Sequence, residues 1–245
     1  MLSHQQYLDL IIKVNEFRNQ AHLFDNEVIS ESALDSLKKQ ITDFENSNPD
    51  LISFNSSNYI IAGGISEGFQ KVAHSRRMLS LNDIFDLEEL IDWERKWQDY
   101  AKNDGINYQP NQSYICEPKI DGLAISLHYD NGQLIRGITR GDGFSGEDVT
   151  NNVFQIPSIP KTIPDLRQLE VRGEIFMTLS DFADLNQSIL NGTKTGKLGK
   201  TGLEGIFANH RNVASGTIRQ LDSRIVGERN LSFVAYNIYI TSEVA

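Results

Sequence analysis

The strongest fold signal in this 245-residue sequence is a hairpin pattern near its middle. Residues 124–129 and 133–139 have the composition of strands, and Asp130, Asn131 and Gly132 separate them. Asparagine and glycine tolerate the left-handed backbone conformation that tight hairpin turns require. The central part of the chain is therefore predicted to form an antiparallel sheet.

Helical spacing dominates the N-terminal part. Apolar residues recur every three or four positions over residues 8–17 and 33–44, and Ser30 is a suitable N-cap for the second run. The connection between the two runs is short, so we expect a pair of neighbouring helices. Residues 48–68 are rich in Asn, Ser and Gly, which is typical of a linker to a larger unit.

The remaining sequence mixes helices and strands. Residues 83–101 and 180–190 have helical patterns, whereas residues 169–177 and 231–239 are typical of strands. The two types interleave without the regular spacing of strand–helix–strand units. This favours an α+β domain with antiparallel sheets over a doubly wound parallel fold.

Charge and composition restrict the classes of partner. The formal net charge of −10 opposes a large nucleic-acid footprint, because phosphate binding needs clustered Lys and Arg. The sequence has no apolar run of about 18 residues and no signal-peptide pattern at its start, so we expect a cytoplasmic protein without a membrane segment. Cys116 is the single cysteine, which excludes an internal disulfide and a Cys-rich zinc site.

One lysine is a candidate nucleophile. Lys119 lies between Glu117 and Asp121 in a Lys-Ile-Asp-Gly tetrapeptide. An amine attacks phosphorus only when it is neutral, and the ordinary lysine pKa of about 10.4 leaves little free base at neutral pH. A working site would therefore need a metal ion or further cations near these two acids. The tetrapeptide alone is more typical of a surface lysine before an Asp-Gly turn, so the other segments must decide.

Three further segments combine polar residues with glycines, at residues 139–143, 170–174 and 207–212. Glycines beside an arginine can bring backbone N–H groups and a guanidinium to a phosphate, and strand-end carboxylates can accept from ribose hydroxyls or an adenine amino group. Together with the lysine, the segments predict a nucleotide pocket. Arg172, within the second segment, is better explained as an ion-pair partner on the sheet face than as a ligand contact.

The order of these segments resembles the N-terminal adenylation region of the bacterial NAD-dependent DNA ligases. The matching residues extend over nearly the whole chain and are 78–82, 116–124, 139–143, 146–153, 169–176, 207–209, 211–212 and 219–222. The resemblance implies a helical NAD-binding subdomain over residues 1–66 and an ATP-grasp-like nucleotidyltransferase domain over residues 67–245. It also implies a function in sealing nicks during DNA replication and repair.

The resemblance assigns roles to individual residues. The lysine at the position of Lys119 attacks the α-phosphate of NAD, releases nicotinamide mononucleotide (NMN) and becomes lysyl-AMP, and Asp121 matches an acid that orients it. Mg²⁺ would screen the charge of the pyrophosphate. The other matching positions hold adenine (Ser80, Leu81 and Glu117), the ribose and phosphate (Arg140 and Glu174), and nicked double-stranded DNA (Arg211 and Arg219).

The sequence departs from the family pattern in the helix pair, at residues 59–63, which replace a Gln-Arg-Val-Gly segment, and at its C-terminal end. His22, Glu31 and Asp35 match positions that hold the nicotinamide half of NAD, but Ala21 and Leu34 replace two aromatic residues that would stack on the ring. Two later strands that each carry a lysine, and the family's C-terminal DNA-binding domains, have no counterpart in this sequence. We therefore expect a nucleotidyltransferase domain truncated at its C-terminal end, without nick sealing by this chain alone.

Two alternatives remain open at this point. The chain could be a noncatalytic nucleotide-binding or partner module derived from a ligase, which the altered positions favour. It could instead be an ATP-using nucleotidyltransferase, which shares the lysine tetrapeptide; the N-terminal helix pair and residues 139–143 argue against that.

Overall fold

A computed structural model describes residues 2–24, 29–53, 55–58, 68–106, 114–196 and 199–242, without the side chains of residues 19–24 and of Glu31. Residues 59–67, part of the predicted linker, lie outside the description. The chain divides into two compact units. Unit 1 comprises Met1–Met78 and Ile120–Ala245, and unit 2 comprises Leu79–Lys119.

The N-terminal part of unit 1 is the predicted helix pair, α1 (His4–Phe24) and α2 (Glu31–Ser47), followed by a short 3₁₀ helix at Pro49–Leu51. The Ser30 hydroxyl accepts a hydrogen bond from the N–H of Ala33, which confirms the predicted cap. Apolar side chains between the helices form a small core, whose members are Tyr7, Ile11, Val14, Ile41 and Phe44. In α2 the buried residues belong to the predicted apolar run, whereas in α1 Tyr7 joins Ile11 and Val14 in the core and Ile12 is exposed.

The main part of unit 1 contains two antiparallel sheets. The larger has the strand order β3-β2-β5-β6, and the smaller pairs β1 with β4. Their strands are β1 (Lys71–Ala73), β2 (Leu123–Asp130), β3 (Gln133–Thr139), β4 (Ser145–Glu147), β5 (Gln168–Phe176) and β6 (Ser232–Ser242). The predicted hairpin is β2–β3, and its turn residues Asn131 and Gly132 both have positive φ, at 49° and 74°.

Helices cover one face of the larger sheet. They are α4 (Thr150–Val153), α5 (Leu179–Leu190), α6 (His210–Ile218) and α7 (Ser223–Gly227), and a 3₁₀ helix at Gly202–Glu204 precedes α6. Alternate strand residues such as Ile125, Leu127 and Ile175 are fully buried in the same core cluster as Ile189 and Ile218 of the helices. Because side chains alternate along a strand, the intervening residues lie on the opposite face. The prediction of mixed helices and antiparallel sheets is confirmed.

The described part of unit 2 contains the amphipathic helix α3 (Leu87–Asn103). The carboxylate of Asp86 caps it by accepting from the N–H of Glu89 at 2.9 Å, so the helix begins slightly later than the predicted residue 83. Among the described residues, no helix is both long and apolar enough to cross a membrane.

Candidate active site

The candidate nucleophile lies at the end of unit 2. Lys119 and Glu117 are exposed in a stretch without regular secondary structure, and Ser80 and Leu81, at the start of the unit, are exposed as well. Tyr114 ties this stretch to α3, since its hydroxyl donates to Glu94 at 2.8 Å. The predicted nucleophile and the predicted adenine-binding residues therefore belong to the same unit.

Asp121, two residues after the lysine, lies in unit 1, just before β2. Its Oδ1 lies 3.2 Å from Nη1 of Arg211, and both side chains are about one-third exposed. Arg211 is placed by the start of α6, where the Asn209 side chain accepts its backbone N–H at 2.8 Å. The structure thus pairs two predicted site residues that are far apart in sequence.

Arg140 directly follows β3 and continues the row of the larger sheet that contains Glu174. The N–H of Arg140 donates to the carbonyl oxygen of Ala124 at 3.1 Å, and Ala124 is directly opposite Glu174 in the β2–β5 register. Residues in one such row point to the same face. The guanidinium and the carboxylate for which the family resemblance implies one ligand are therefore on the same side of the sheet.

The side chain of Arg140 is partly shielded from solvent. Burial lowers its pKa, and this effect is opposed by the nearby Glu174 carboxylate and reinforced by Arg211. Tyr236 lies at a bulge in β6 and belongs to the same group, because burial and Glu174 both raise the pKa of its hydroxyl. Charges in such an environment interact more strongly than in water. Tyr236 was not identified from the sequence.

The structure connects Arg219, a predicted DNA contact, to a buried acid. Its Nε lies 3.0 Å from Oε2 of Glu147, and the two side chains are 12% and 1% exposed. Asn152 holds the adjoining backbone, because its amide donates to the carbonyl oxygens of Ile218 and Gln220 at 2.7 and 2.8 Å. Glu147 and Asn152 therefore fix both the side chain and the backbone of Arg219.

A second buried acid lies on the polar face of the sheet. Glu170 is fully buried and accepts from Arg172 Nε at 2.7 Å, from Ser126 at 2.8 Å and from Ser75 at 3.0 Å. Because the single hydroxyl proton of Ser126 goes to Glu170, the ring of His128 donates to Ser126 at 3.1 Å. The expectation that Arg172 is an ion-pair partner on the sheet face is confirmed.

Because of His74, His128 and Glu170, we expect the folded chain to become less stable in acid. Burial lowers the pKa of His74 and His128. Burial alone would raise the pKa of Glu170, but hydrogen bonds from Arg172, Ser126 and Ser75 bring it below its ordinary value. In all three cases the unfolded chain binds more protons than the folded one, so stability rises with pH through each transition.

The urea midpoint is therefore expected to fall as the pH drops below about 6.5, the ordinary histidine value, and to fall again below about 4.3, the ordinary glutamate value. Chemical unfolding followed between pH 8 and pH 4 measures this. His128→Gln is expected to reduce the first decline, and His210→Gln, outside this group, serves as the control. A midpoint constant from pH 7.5 to pH 5 would contradict the expectation.

The three residues predicted to hold nicotinamide belong to the helix pair. His22 is near the end of α1 and Glu31 begins α2, but their side chains lie outside the description. Asp35 is in the second turn of α2, and its Oδ1 is 3.2 Å from Nζ of Lys38.

Metal ligands are not concentrated anywhere in the described ranges. No group of three or more His, Cys, Asp or Glu side chains there could hold a metal ion. Mg²⁺ often keeps several waters and binds through substrate phosphates. The described side chains therefore do not themselves form a cage for Mg²⁺.

Comparison with known proteins agrees with these features. The sequence pattern of the NAD-dependent DNA ligase adenylation domain matches residues 66–245. A DNA ligase of Mesoplasma florum is 42% identical over 236 residues, covering 96% of this chain and 33% of the relative. A DNA ligase of Marinomonas sp. is 38% identical over 243 residues, covering 97% of this chain and 33% of the relative.

A third relative, a DNA ligase of Bacillus cytotoxicus, is 39% identical over 226 residues, covering 92% of this chain and 31% of its own length. The chain thus spans about a third of the length of the curated relatives it matches. The match to the adenylation domain covers most of the sequence and includes both Arg140 and the strand that carries Glu174. The chain belongs to the NAD-dependent DNA ligase adenylation domain family.

Proposed function

We propose that this chain carries out the first step of DNA ligation, transfer of AMP from NAD to Lys119. The lysine nitrogen forms a bond to the α-phosphorus, the bond from that phosphorus to the bridging oxygen breaks, and NMN leaves with the electron pair. The lysine nitrogen releases a proton to water, and the product is a phosphoramidate. The observation that carries this proposal is that Arg140, Glu174 and the Asp121–Arg211 pair lie together within unit 1.

Different side chains bind different parts of the nucleotide. Ser80, Leu81 and Glu117 hold adenine, with Glu117 as hydrogen-bond acceptor and Leu81 as a packing surface. Arg140 and Glu174 hold the phosphate and ribose, and the partial burial of Arg140 supports this because a desolvated guanidinium binds phosphate strongly.

Asp121 orients the lysine. Its contact with Arg211 supports this role, because the pair fixes the direction of the carboxylate two residues beyond the nucleophile. In this proposal Arg211 contributes to the first step through Asp121 and also contacts the adenylated DNA end.

Residues 1–66 form the subdomain that recognises the nicotinamide half of NAD, through His22, Glu31 and Asp35. Residues 67–245 form the nucleotidyltransferase domain. Because Ala21 and Leu34 offer no aromatic ring, recognition of nicotinamide relies on the polar side chains rather than on stacking.

We propose that the sealing of nicked double-stranded DNA belongs to longer proteins that contain this adenylation domain. The sealing would serve DNA replication and repair in the cytoplasm. Arg211 and Arg219 supply DNA contacts from this domain. The net charge of −10 supports a small local contribution, with most of the phosphate contacts supplied from outside the chain.

Mg²⁺ would lie on the nucleotide phosphates, where it supplies charge neutralisation as NMN departs. The described side chains offer no cluster of metal ligands, so no step of the proposal is assigned to a protein-bound ion. The role of the chain itself is to bind the nucleotide and present the amine.

Intact mass spectrometry tests the proposal. After incubation with NAD and Mg²⁺ the chain is expected to gain the mass of one AMP, whereas ATP gives none. An adduct from ATP alone would favour an ATP-using nucleotidyltransferase. No adduct from either nucleotide, combined with a thermal shift on adding AMP, would favour a noncatalytic binding module.

A further inference from the structure

The segment at residues 74–78 follows β1 and is bound from two sides within unit 1. On the first side, the N–H groups of His74 and Met78 donate to carbonyl oxygens of Phe144 and Gly143, both at 2.9 Å. These acceptors belong to the loop between β3 and β4. The segment therefore forms two backbone bonds with the loop that also contains Arg140.

The imidazole of His74 adds a third attachment to the same loop. Its Nε2 lies 3.1 Å from the carbonyl oxygens of both Thr139 and Arg140. Since both partners are acceptors, Nε2 carries the proton. The carbonyl group of Arg140 itself is thus held by the segment, while its N–H is held by Ala124 of β2.

Arg172 binds the same segment from the second side. Its Nη1 donates to the carbonyl oxygen of Arg77 at 3.0 Å, and its Nη2 donates to that of Arg76 at 2.6 Å. The third nitrogen, Nε, donates to Glu170. All three nitrogens of one planar guanidinium are therefore engaged, a geometry that the single ammonium group of lysine cannot reproduce.

Burial makes this arrangement rigid. Arg172 is 6% exposed and Glu170 is fully buried, with Ser126 and Ser75 bonded to the same carboxylate. The ring of Tyr239 also lies 4.8 Å from the Arg172 guanidinium. A buried, fully hydrogen-bonded group of this kind has one favoured arrangement, because every alternative leaves a polar atom without a partner.

We propose that Arg172, held by Glu170, is a positioning residue for Arg140. It fixes the segment at residues 74–78, and that segment in turn fixes the backbone of Arg140. This inference rests on the proposed function, in which Arg140 binds the ribose and phosphate of NAD. In this proposal Arg172 acts on the reaction through Arg140 rather than by binding the nucleotide.

A double-mutant cycle tests the proposal on the rate of lysyl-AMP formation. Arg172→Lys keeps the positive charge beside Glu170 but loses the planar guanidinium that bonds three groups at once. It is expected to raise the NAD concentration for half-maximal rate about tenfold, equivalent to about 1.4 kcal/mol of binding. In an Arg140→Gln background the same change is expected to have little effect, because the residue through which it acts is already gone.

The cycle distinguishes a failure of the proposed role of Arg140 from a failure of the positioning role of Arg172. If Arg140→Gln alone leaves AMP transfer unchanged, the proposed role of Arg140 fails. If Arg140→Gln weakens transfer and Arg172→Lys multiplies that loss by the same factor as in the wild type, the positioning role fails and Arg172 acts elsewhere. Arg224→Gln, at an 85% exposed side chain, is the matched control and is expected to leave NAD use unchanged.

Hydrogen exchange gives a readout that needs no activity. In Arg172→Lys the amides of His74, Met78 and Gly143 are expected to exchange at least about tenfold faster, while those of β2 and β5 stay protected. The milder Tyr239→Leu variant, which retains all hydrogen bonds of Arg172, is expected to give a smaller change at the same amides. Unchanged exchange at residues 74–78 and 139–144 in Arg172→Lys would overturn the proposal.

Discussion

A chain carrying Lys119→Ala is expected to gain no AMP from NAD, with a rate at least about a thousandfold below that of the unaltered chain. The proposed reaction ends with AMP bonded to the lysine nitrogen, and alanine offers no nucleophile at that place. Lys119→Arg is expected to be equally inactive, because arginine stays protonated and cannot attack. Intact mass after incubation with NAD measures both.

Lys200→Ala is the control, because Lys200 is an exposed lysine paired with Glu204 and lies outside the candidate site. It is expected to form the adduct at the normal rate. An AMP adduct of normal yield in Lys119→Ala, mapped by peptide sequencing to another lysine, would show that the nucleophile has been assigned wrongly.

The second large effect is expected at Gly122, the glycine of the lysine tetrapeptide. A Cβ at this position would lie 2.1 Å from the carbonyl oxygen of Ile175 in β5, a distance that no real contact reaches. Gly122→Ala must therefore separate the start of β2 from β5. We expect a loss of about 3 kcal/mol in the free energy of unfolding, at the upper end for overpacking, and loss of AMP transfer as Asp121 moves.

Gly216→Ala is the matched control, since a Cβ there meets nothing within 4 Å. Gly216 lies inside α6, where alanine is expected to stabilise by about 0.5–1 kcal/mol. Urea unfolding of both variants measures the contrast, which has opposite signs at the two glycines. A Gly122→Ala chain as stable as the unaltered one would show that β2 and β5 can separate at little cost.

Local patterns allowed much of the fold to be predicted. The hairpin of β2 and β3 has its turn in the sequence, and the N-cap of α2 is a single recognisable serine. Strands β1 and β4 were not predicted, because each has only three residues and carries no periodicity of its own. Helix α6 was not predicted either, since Gly216 and Thr217 interrupt its apolar pattern.

The site could be predicted in part for a related reason. Lys119, Arg140 and Glu174 lie in short glycine-containing segments that are recognisable one at a time. The partners of Arg211 and Arg219 are non-local, and nothing in the sequence pairs position 147 with position 219. One signal was present, because Glu170, Arg172 and Glu174 alternate along a strand and so share a face.

The discontinuous course of unit 1 has a consequence for biosynthesis. Strand β1 pairs with β4, and all of unit 2 lies between them in the sequence. A ribosome that adds about 5–20 residues per second must complete unit 2 before β4 emerges, so β1 waits for several seconds without its partner. Pairings between segments so distant in the chain also slow folding. Nascent chains arrested before residue 145 are therefore expected to hold a folded helix pair followed by a protease-sensitive stretch around residues 71–78.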